Sequence, residues 1–324
     1  MSHVTDRRTF LKRAVGGAAG LSLSAAVFGN TPAQPAAGGA GAITVTQLGA
    51  HLFSLSGAGA NVVALVDPSG VVLVDGGLAE HSAALLKAVA EVSGGAPVTT
   101  LFNTHWHPEH TGSNAVLGKA GARIVAHENT RRWLRGSFDV PWQSRSYTPQ
   151  PPEALPNDTF YTAGGEMTVG GRLAFGSEHI EYIHLPQAHT DGDIGVFFRE
   201  ANVLVTGNVV SVGQYPIPDS ITGGSLPGLT QAAKDLLGLV DAQTRIVPGD
   251  GPVQTRKDLE AFSEMLSTVY DRTVKMLYRG FSARDMVAHG VTEGFDATWG
   301  RPDRFIANAY QSMWGHVREF EDIV

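Results

Sequence analysis

The feature that most limits what this chain can fold into is a histidine cluster that directly follows an apolar run. Val98–Phe102 has the length and composition of a buried strand, and the segment THWHPEHTGSN comes next. Three of the chain's 12 histidines, His105, His107 and His110, fall within six positions there. Side chains two residues apart on an extended segment point the same way, so His105 and His107 can converge. Converging imidazoles bind a divalent cation such as zinc at about 2.0–2.1 Å; a solvated polar turn is the alternative.

Composition excludes several classes of protein and of metal site. Of the 324 residues, 43% are hydrophobic and 17% are charged, which excludes a disordered chain or a coiled coil. There is no cysteine, so thiolate metal sites and disulfide scaffolds are excluded as well. The net charge is −7, and like charges never occur five in a row, which argues against a nucleic-acid partner. The expected partner is a small-molecule substrate.

The first 42 residues have the order of parts found in an export signal. The segment DRRTFLK contains Arg7 and Arg8, a weakly apolar Gly/Ala-rich stretch covers residues 14–28, and a loose Pro/Ala/Gly segment runs to Ala42. This resembles a twin-arginine signal, and the alternative is a basic N-terminal tail. The resemblance implies export by the twin-arginine translocation machinery, cleavage within residues 33–42, and a periplasmic or secreted mature protein. The stretch is too short and too rich in glycine for a spanning helix, so we expect no stable membrane insertion.

Beyond residue 42, strand patterns and helix patterns alternate. Residues 43–74 predict an antiparallel run, because apolar segments there are separated by Gly, Asp-Pro or Ser-Gly turns. Residues 138–156 are Pro-rich, aromatic and without period, and predict a long surface loop. Strands are predicted at 43–48, 51–55, 61–66, 71–74, 98–102, 123–126, 167–169, 173–175, 180–184, 194–198, 203–206 and 245–247, and helices at 81–92, 113–119, from 129, and at 229–240, 257–277 and 301–320.

Two predicted hairpins in this pattern echo each other. They are ALVDPSGVVLVDGG in the first half of the chain and GVFFREANVLVTGN in the second. Each ends a strand on a polar residue followed by glycine. The echo indicates a two-fold pseudo-repeat of a strand-rich layer that is faced by helices.

Three further polar residues stand where later apolar strands end. They are His189 in AHTDGD, Asn208 in LVTGN and Asp250 in VPGDG. Together with THWHPEHTGSN, these segments resemble the motifs of the metallo-β-lactamase superfamily over about residues 43–251, and look closer to its glyoxalase-II-like hydrolase branch. The resemblance implies an α/β fold, the four-layered αβ/βα sandwich, with a metal site at the edge of two facing sheets. It also implies that residues 43–324 form a single domain.

Carried over position by position, the resemblance implies a complete first metal site and an altered second one. Three histidines match the first site in full, an arrangement in which a catalytic zinc keeps an open position. At the second site, Glu109 stands where the family has Asp, Asn208 where it has the bridging Asp, and Asp250 where it has the last His. The implied metal ligands are His105, His107 and His189 at the first site, and Glu109, His110, Asn208 and Asp250 at the second.

Two interpretations of the second site stay open. In one, the site is lost, because an amide oxygen is a poor bridge and the longer arm of Glu109 displaces its carboxylate by about one C–C bond. In the other, Asp250 restores the negative charge that Asn208 removes, so the site keeps two carboxylates as in the family. Such an oxygen-rich site would accept Mn²⁺ or Fe²⁺ beside Zn²⁺. The cofactor is therefore expected to be one or two ions.

These features predict an exported metal-dependent hydrolase. A metal-bound hydroxide would attack an ester, a lactone or a β-lactam-type amide while the ion polarises the carbonyl oxygen. Glu109 or Asp250, if not tied up by a second ion, is the candidate to accept a proton from the water and pass it to the leaving group. One alternative is a non-catalytic or weakly active binding protein with an eroded second site. Redox chemistry at a single iron, as in persulfide dioxygenase relatives, is a third hypothesis, against which Asn208 argues.

Several other residues admit two interpretations. Asp75 in VDGG either orients the metal-bearing loop, as in the family, or forms a turn. His184 is interpreted as a strand residue rather than a ligand. Asp191 and Asp193 either anchor the loop of His189 or form an Asx turn. The aromatic residues that either line the substrate mouth or pack as lids are Trp106, Trp142 and Tyr215.

Replacing His189 by alanine is expected to remove metal and activity together, because it takes away one of three imidazole ligands. Elemental analysis and turnover are measured on the same preparation and compared with the unaltered chain. Turnover that survives with stoichiometric metal would refute this assignment.

Overall fold

The computed structural model describes residues 42–321, with side chains described for residues 42–313. The predicted export signal at residues 1–42 therefore lies outside the described residues, apart from Ala42. Across the part of the chain that is described, no helix combines the length and the apolar character that a membrane crossing requires.

The strands of residues 42–321 form a seven-stranded sheet, a five-stranded sheet and a two-stranded hairpin. The first sheet takes the first six strands in chain order and then the ninth, the second sheet takes the last five, and the hairpin takes the seventh and eighth. The strands are β1 (Thr44–Gln47), β2 (Leu52–Ser56), β3 (Val62–Asp67), β4 (Gly70–Val74), β5 (Val98–Phe102), β6 (Arg123–His127), β7 (Phe138–Val140), β8 (Arg145–Tyr147), β9 (Asp158–Phe160), β10 (Thr168–Phe175), β11 (Glu178–His184), β12 (Ile194–Phe198), β13 (Val203–Gly207) and β14 (Arg245–Pro248).

The two large sheets repeat the same pattern of strand pairing. In the first, β1 to β4 pair antiparallel, as predicted for residues 43–74, and β4 then pairs parallel with β5. In the second, β10 to β13 pair antiparallel and β13 pairs parallel with β14. The echoing hairpins occupy matching places, β3–β4 in one sheet and β12–β13 in the other. The pseudo-repeat predicted from the sequence is therefore present in the topology.

The helices cover the outer faces of the two sheets. The long α6 begins at a capping box, in which Thr255 and Asp258 each bond the other's backbone N–H. The helices are α1 (Ser82–Ser93), α2 (Pro108–Thr111), α3 (Asn114–Lys119), α4 (Glu128–Arg135), α5 (Leu226–Leu239), α6 (Arg256–Tyr278), α7 (Ala283–Ala288), α8 (Asp296–Trp299) and α9 (Asp303–Glu321).

Three apolar cores separate four layers. Between the sheets, Phe102 of the first packs in one cluster with Phe198 of the second. On the outer face of the first sheet, Leu85 of α1 packs with residues of β3 to β6. On the outer face of the second, Phe262 of α6 packs with α5 and with the last helices. Helix, sheet, sheet and helix thus stack as the four-layered αβ/βα sandwich predicted from the sequence.

The segment 138–156 differs from the long surface loop predicted for it. It contains the hairpin β7–β8, and Val140 is fully buried in an aromatic cluster with Trp106 and Leu134. Each strand of the hairpin is only three residues long, which is too short for an alternating pattern to appear in the sequence. The following strand β9, also not predicted, extends the first sheet beside β6.

Two buried histidines join the ends of the two sheets. His127 ends β6 and His184 ends β11, and their rings stack at 3.8 Å with an angle of 7° between their planes. His127 also accepts a hydrogen bond from the backbone N–H of Asn129 and so caps α4. Burial lowers the pKa of His127 to about 3, helped by the charges of His184 and Arg132. Burial also lowers the pKa of His184, although the carbonyl of Asp191 opposes the shift.

This pair predicts that acid destabilises the metal-free chain. The folded state holds both rings neutral, while the unfolded chain binds protons below about pH 6.5, so the stabilisation is present above that pH and is lost as the pH falls toward 3. His127→Asn keeps a capping residue and removes one titrating ring. Its free energy of unfolding, measured with denaturant from pH 7.5 to pH 5, should depend less on pH, by about 1 kcal/mol per pH unit.

The matched control is His289→Asn, because the side chain of His289 is exposed. That variant should lose stability with acid as steeply as the parent. Equal slopes for His127→Asn and the parent would contradict the proposed origin of the acid sensitivity.

Candidate metal centre

Loops from both sheets carry the predicted ligands to one edge of the sandwich. The histidine segment follows β5 in the first sheet. In the second, His189 follows β11, Asn208 follows β13 and Asp250 follows β14. Because β12 is antiparallel to both β11 and β13, and β14 is parallel to β13, the carboxyl ends of β11, β13 and β14 lie at the same edge. A hydrogen bond of 2.8 Å from the N–H of Ile194 to the carbonyl of Thr104 ties the two sets of loops together.

Three buried imidazoles converge at this edge. The ring centroids of His105, His107 and His189 lie 4.7, 4.8 and 4.9 Å apart, and one ligand atom from each falls within 4.8 Å of the others. In the described part of the chain, this is the one group of three or more His, Asp or Glu side chains close enough to hold an ion. Nε2 of His105 is buried without a hydrogen-bond partner among the described residues. A buried lone pair of this kind is what a metal ligand requires, so the three residues fit a divalent ion.

The electrostatics keep two of these rings, those of His105 and His189, in the form that binds metal. Burial, together with the charges of the other three histidines, holds the pKa of His105 well below its usual range. Burial and the neighbouring His107 lower the pKa of His189 to about 3. A neutral imidazole offers a lone pair, whereas a protonated one does not.

Each ring also has its other nitrogen bonded to the protein. Nδ1 of His189 donates to the carbonyl of Ile217 at 2.8 Å, which leaves its Nε2 free to bind. Nε2 of His107 lies 3.2 Å from Oδ2 of Asp219, which leaves Nδ1 facing Nε2 of His189 at 3.1 Å. Nδ1 of His105 lies 3.1 Å from the hydroxyl of Thr104. Such contacts fix the tautomer and the direction of metal-binding rings.

Asp219 is a residue that the sequence reasoning missed. It is fully buried and also accepts hydrogen bonds from Trp142, Thr222 and the N–H of Ile221. Burial alone would raise its pKa, but the bond and charge of His107 outweigh burial and lower the pKa to about 2. Asp219 belongs to the segment PIPDS, 112 residues from His107, and no motif spacing connects the two.

Asp75 both forms a turn and orients the histidine segment, so both interpretations given for it apply. Its backbone is left-handed, with φ of 66°, so it forms the turn that ends β4. Its buried carboxylate accepts the N–H and the hydroxyl of Thr104 at 2.8 and 2.9 Å and lies 2.7 Å from Nδ1 of His110. Burial lowers the pKa of His110, but Asp75 raises it more, and the net shift is upward. The strained turn therefore aims an anion at the histidine segment.

The four residues predicted for the second site differ in burial and in their distance from one another. Nε2 of His110 is buried without a hydrogen-bond partner in the described residues. Asn208 and His110 both border Gly249. A Cβ atom placed on Gly249 would lie 2.0 Å from Oδ1 of Asn208 and 3.0 Å from the ring of His110, so the two side chains are neighbours. Glu109 has a carboxylate oxygen 3.8 Å from Nδ1 of His107. Asp250 is exposed, and its carboxylate accepts the N–H of Gly251 at 2.9 Å.

Two acids stabilise the loop of His189 through hydrogen bonds. Asp193 accepts the N–H and the hydroxyl of Thr190 at 2.7 and 2.8 Å, and burial raises the pKa of Asp193 to about 8. Asp191 accepts Nε1 of Trp133 at 2.7 Å, and burial raises its pKa to about 6. Asp191 therefore connects the loop to α4, whereas Asp193 closes a turn within the loop.

Of the three aromatic residues considered for the substrate mouth, the fold places two near His107. Trp106 is buried in the aromatic cluster under the hairpin β7–β8. Tyr215 is buried against the last helices. Trp142 is half-buried, with its ring 6.4 Å from that of His107, and the ring of Trp106 makes an edge contact with His107 at 4.4 Å. Both tryptophans therefore lie beside the converging imidazoles, and Tyr215 packs elsewhere.

An αβ/βα sandwich with three converging imidazoles at its edge defines a hydrolase of the metallo-β-lactamase fold. The profile of the metallo-beta-lactamase superfamily matches residues 56–250, and the chain belongs to this family. It is 27% identical over 164 residues to the probable metallo-hydrolase YqgX of Bacillus subtilis, a match that covers 49% of this chain and 72% of the relative.

Solved structures share the fold. A metallo-beta-lactamase from Pontibacter korlensis aligns with a TM-score of 0.55 and 20% identity, covering 69% of this chain and 99% of that one. The stereoselective inverting sec-alkylsulfatase Pisa1 from Pseudomonas sp. aligns with a TM-score of 0.64 and 14% identity, covering 83% of this chain and 50% of that one.

Asp219→Asn is expected to weaken Zn²⁺ binding about 10–100-fold, because the amide no longer holds His107 as a charged acceptor. A competition titration against a chromogenic chelator measures this affinity. Asp271→Asn, at an exposed position of α6, is the matched control and should bind as the parent does. Identical affinities for both variants would show that Asp219 does not orient the centre.

Proposed function

We propose that this chain is an exported metal-dependent hydrolase that cleaves an ester, a lactone or a β-lactam-type amide. The observation that carries the proposal is the buried, unpartnered Nε2 of His105 beside Nδ1 of His107 and Nε2 of His189, which face each other at 3.1 Å. An ion held by these three residues supplies a Lewis acid and a water molecule that ionises near neutral pH. We propose zinc, because three neutral imidazoles with an open position suit it.

Glu109 is the group best placed to move a proton at this centre. Its carboxylate lies 3.8 Å from Nδ1 of His107, and its side chain is 33% exposed, so it can reach both the centre and solvent. Burial raises the pKa of Glu109, but the charges of His107 and His110 lower it more, which favours the carboxylate. A carboxylate there can accept a proton from the attacking water and return it to the leaving group. Asp250 is the second candidate for this role.

A small-molecule substrate is supported by a cavity beside the histidine segment. Its volume is about 300 Å³, and its lining includes Trp106, Arg145 and Tyr147. Thr111 is also in the lining, and its hydroxyl donates to the carbonyl of His107 at 3.1 Å. An occupant of this cavity would therefore contact the segment that carries the ligands.

The second site is proposed to accept an oxygen-preferring ion such as Mn²⁺ or Fe²⁺ when it is filled. The buried Nε2 of His110 and the oxygen of Asn208 next to it support this. The exposed position of Asp250 favours the other interpretation, in which the site has eroded. An eroded site would fit a weakly active or non-catalytic binding protein, which is the second candidate function.

Export to the periplasm or out of the cell is proposed for the mature enzyme, and the twin-arginine pattern of residues 1–42 supports this. Membership of the glyoxalase-II-like branch is proposed from the segments AHTDGD, ANVLVTGN and VPGDGP.

The test combines metal analysis with a substrate panel. Protein from its native compartment is analysed for metal and assayed on activated esters, lactones and β-lactams, before and after removal of metal by a chelator. We expect at least one equivalent of metal, hydrolysis of one class, loss of that activity with the metal, and recovery on adding Zn²⁺. Substoichiometric metal with no turnover on the panel would instead favour the binding protein.

Two matched variants in the same assay show whether Glu109 or Asp250 transfers the proton. Glu109→Gln should lower kcat about 100-fold or more at unchanged first-site metal, whereas Asp250→Asn should change it little. The reverse ranking would move the role to Asp250.

A further inference from the structure

A single loop orients two of the three imidazoles. Residues 208–225 connect β13 to α5. The carbonyl of Ile217 accepts Nδ1 of His189, and the carboxylate of Asp219 accepts Nε2 of His107. The N–H of Asp219 also donates to the carbonyl of His189 at 2.7 Å. Movement of this loop would therefore turn two rings at once.

The C-terminal helices hold the outer side of the same loop, mainly at Tyr215. The ring of Tyr215 stacks on Phe305 of α9 at 5.0 Å and 7°. Its hydroxyl donates to Oδ1 of Asp296 at 2.8 Å, and its N–H donates to the carbonyl of Trp299 at 2.9 Å, both in α8. Tyr215 is 5% exposed and is thus fixed by stacking, a side-chain bond and a backbone bond.

Two more contacts with α9 lie further along the same stretch. The hydroxyl of Ser220 lies 3.4 Å from Oε1 of Gln311. The N–H of Leu226, at the start of α5, donates to the hydroxyl of Ser312 at 3.2 Å. The loop is therefore held by α8 and α9 from Tyr215 to its junction with α5.

These helices lie outside the part of the chain that matches the family. The match ends at residue 250, whereas α6, which precedes α8 and α9 in the chain, begins only at Arg256. We propose that α8 and α9 are a positioning element for the metal centre, which acts through Tyr215 on the loop that holds His107 and His189. This inference rests on the proposed metal binding by the three imidazoles.

The physical reason is preorganisation. A loop that is already fixed presents its acceptors to the rings before the ion arrives, so binding does not have to order the loop. If Tyr215 is released, Ile217 and Asp219 must be ordered when the ion binds, and the affinity falls. Loss of the partners that orient metal ligands typically weakens binding 10–100-fold.

The test measures Co²⁺ affinity and the Co²⁺ absorption spectrum of the full chain, well below its unfolding temperature. Tyr215→Ala and Phe305→Ala each remove the stack from one side, while Tyr215→Phe keeps the ring and loses the hydroxyl with its bond to Asp296. Leu85→Ala is the matched control, since Leu85 is buried in the core outside the first sheet, away from the loop. Unfolding midpoints of all four variants show how much stability each has lost.

We expect Tyr215→Ala and Phe305→Ala to weaken Co²⁺ binding at least about tenfold and to alter the spectrum, with Tyr215→Phe close to the parent. Leu85→Ala should lose stability yet bind Co²⁺ like the parent. If the two alanine variants bind Co²⁺ as tightly as Leu85→Ala does and with the parent's spectrum, the inference is overturned. A parent chain that binds no Co²⁺ would instead overturn the metal centre itself.

Discussion

The site depends on one arrangement: each of three buried imidazoles has one nitrogen bonded to its surroundings and the other turned toward the other two rings. A carbonyl, a carboxylate and a hydroxyl hold the outward nitrogens of His189, His107 and His105. Burial lowers the pKa of His105 and of His189, so their inward nitrogens carry lone pairs. Without these outer contacts the rings could turn or exchange tautomers, and a cluster of histidines would not be a ligand set. Asp75 serves the same arrangement, because its left-handed backbone places a buried anion against the histidine segment.

The repeated topology of the two sheets explains how ligands so distant in sequence meet. In both sheets an antiparallel run of four strands is followed by a parallel neighbour, so β5 and β14 occupy equivalent places. The loops after the second sheet's strands open at the edge that receives the histidine segment, and the bond from Ile194 to Thr104 joins them. The apolar core between the sheets holds the two sheets together and so fixes the strands from which these loops emerge. Fold and site are thus consequences of the same pairing pattern.

The features that sequence analysis predicted correctly were those set by local patterns. Apolar periodicity predicted the strands other than β7, β8 and β9. Donor types at motif spacing singled out His105, His107 and His189, which the structure brings together. Asp219 could not be found this way, since its partner is 112 residues away and the contact exists only after folding. The stack of His127 on His184 is likewise a meeting of two strand ends from different sheets. Ligation by Glu109, His110, Asn208 and Asp250 stays a prediction, as does the export signal.

Gly249 sets a limit on how this edge of the molecule can vary. Any side chain there would collide with Oδ1 of Asn208 at 2.0 Å and with the ring of His110 at 3.0 Å, so these two residues meet across bare backbone. Asn208 follows β13 of the second sheet, and His110 lies in the segment after β5 of the first. A larger residue at position 249 would therefore have to push aside a side chain from one sheet's loop or from the other's.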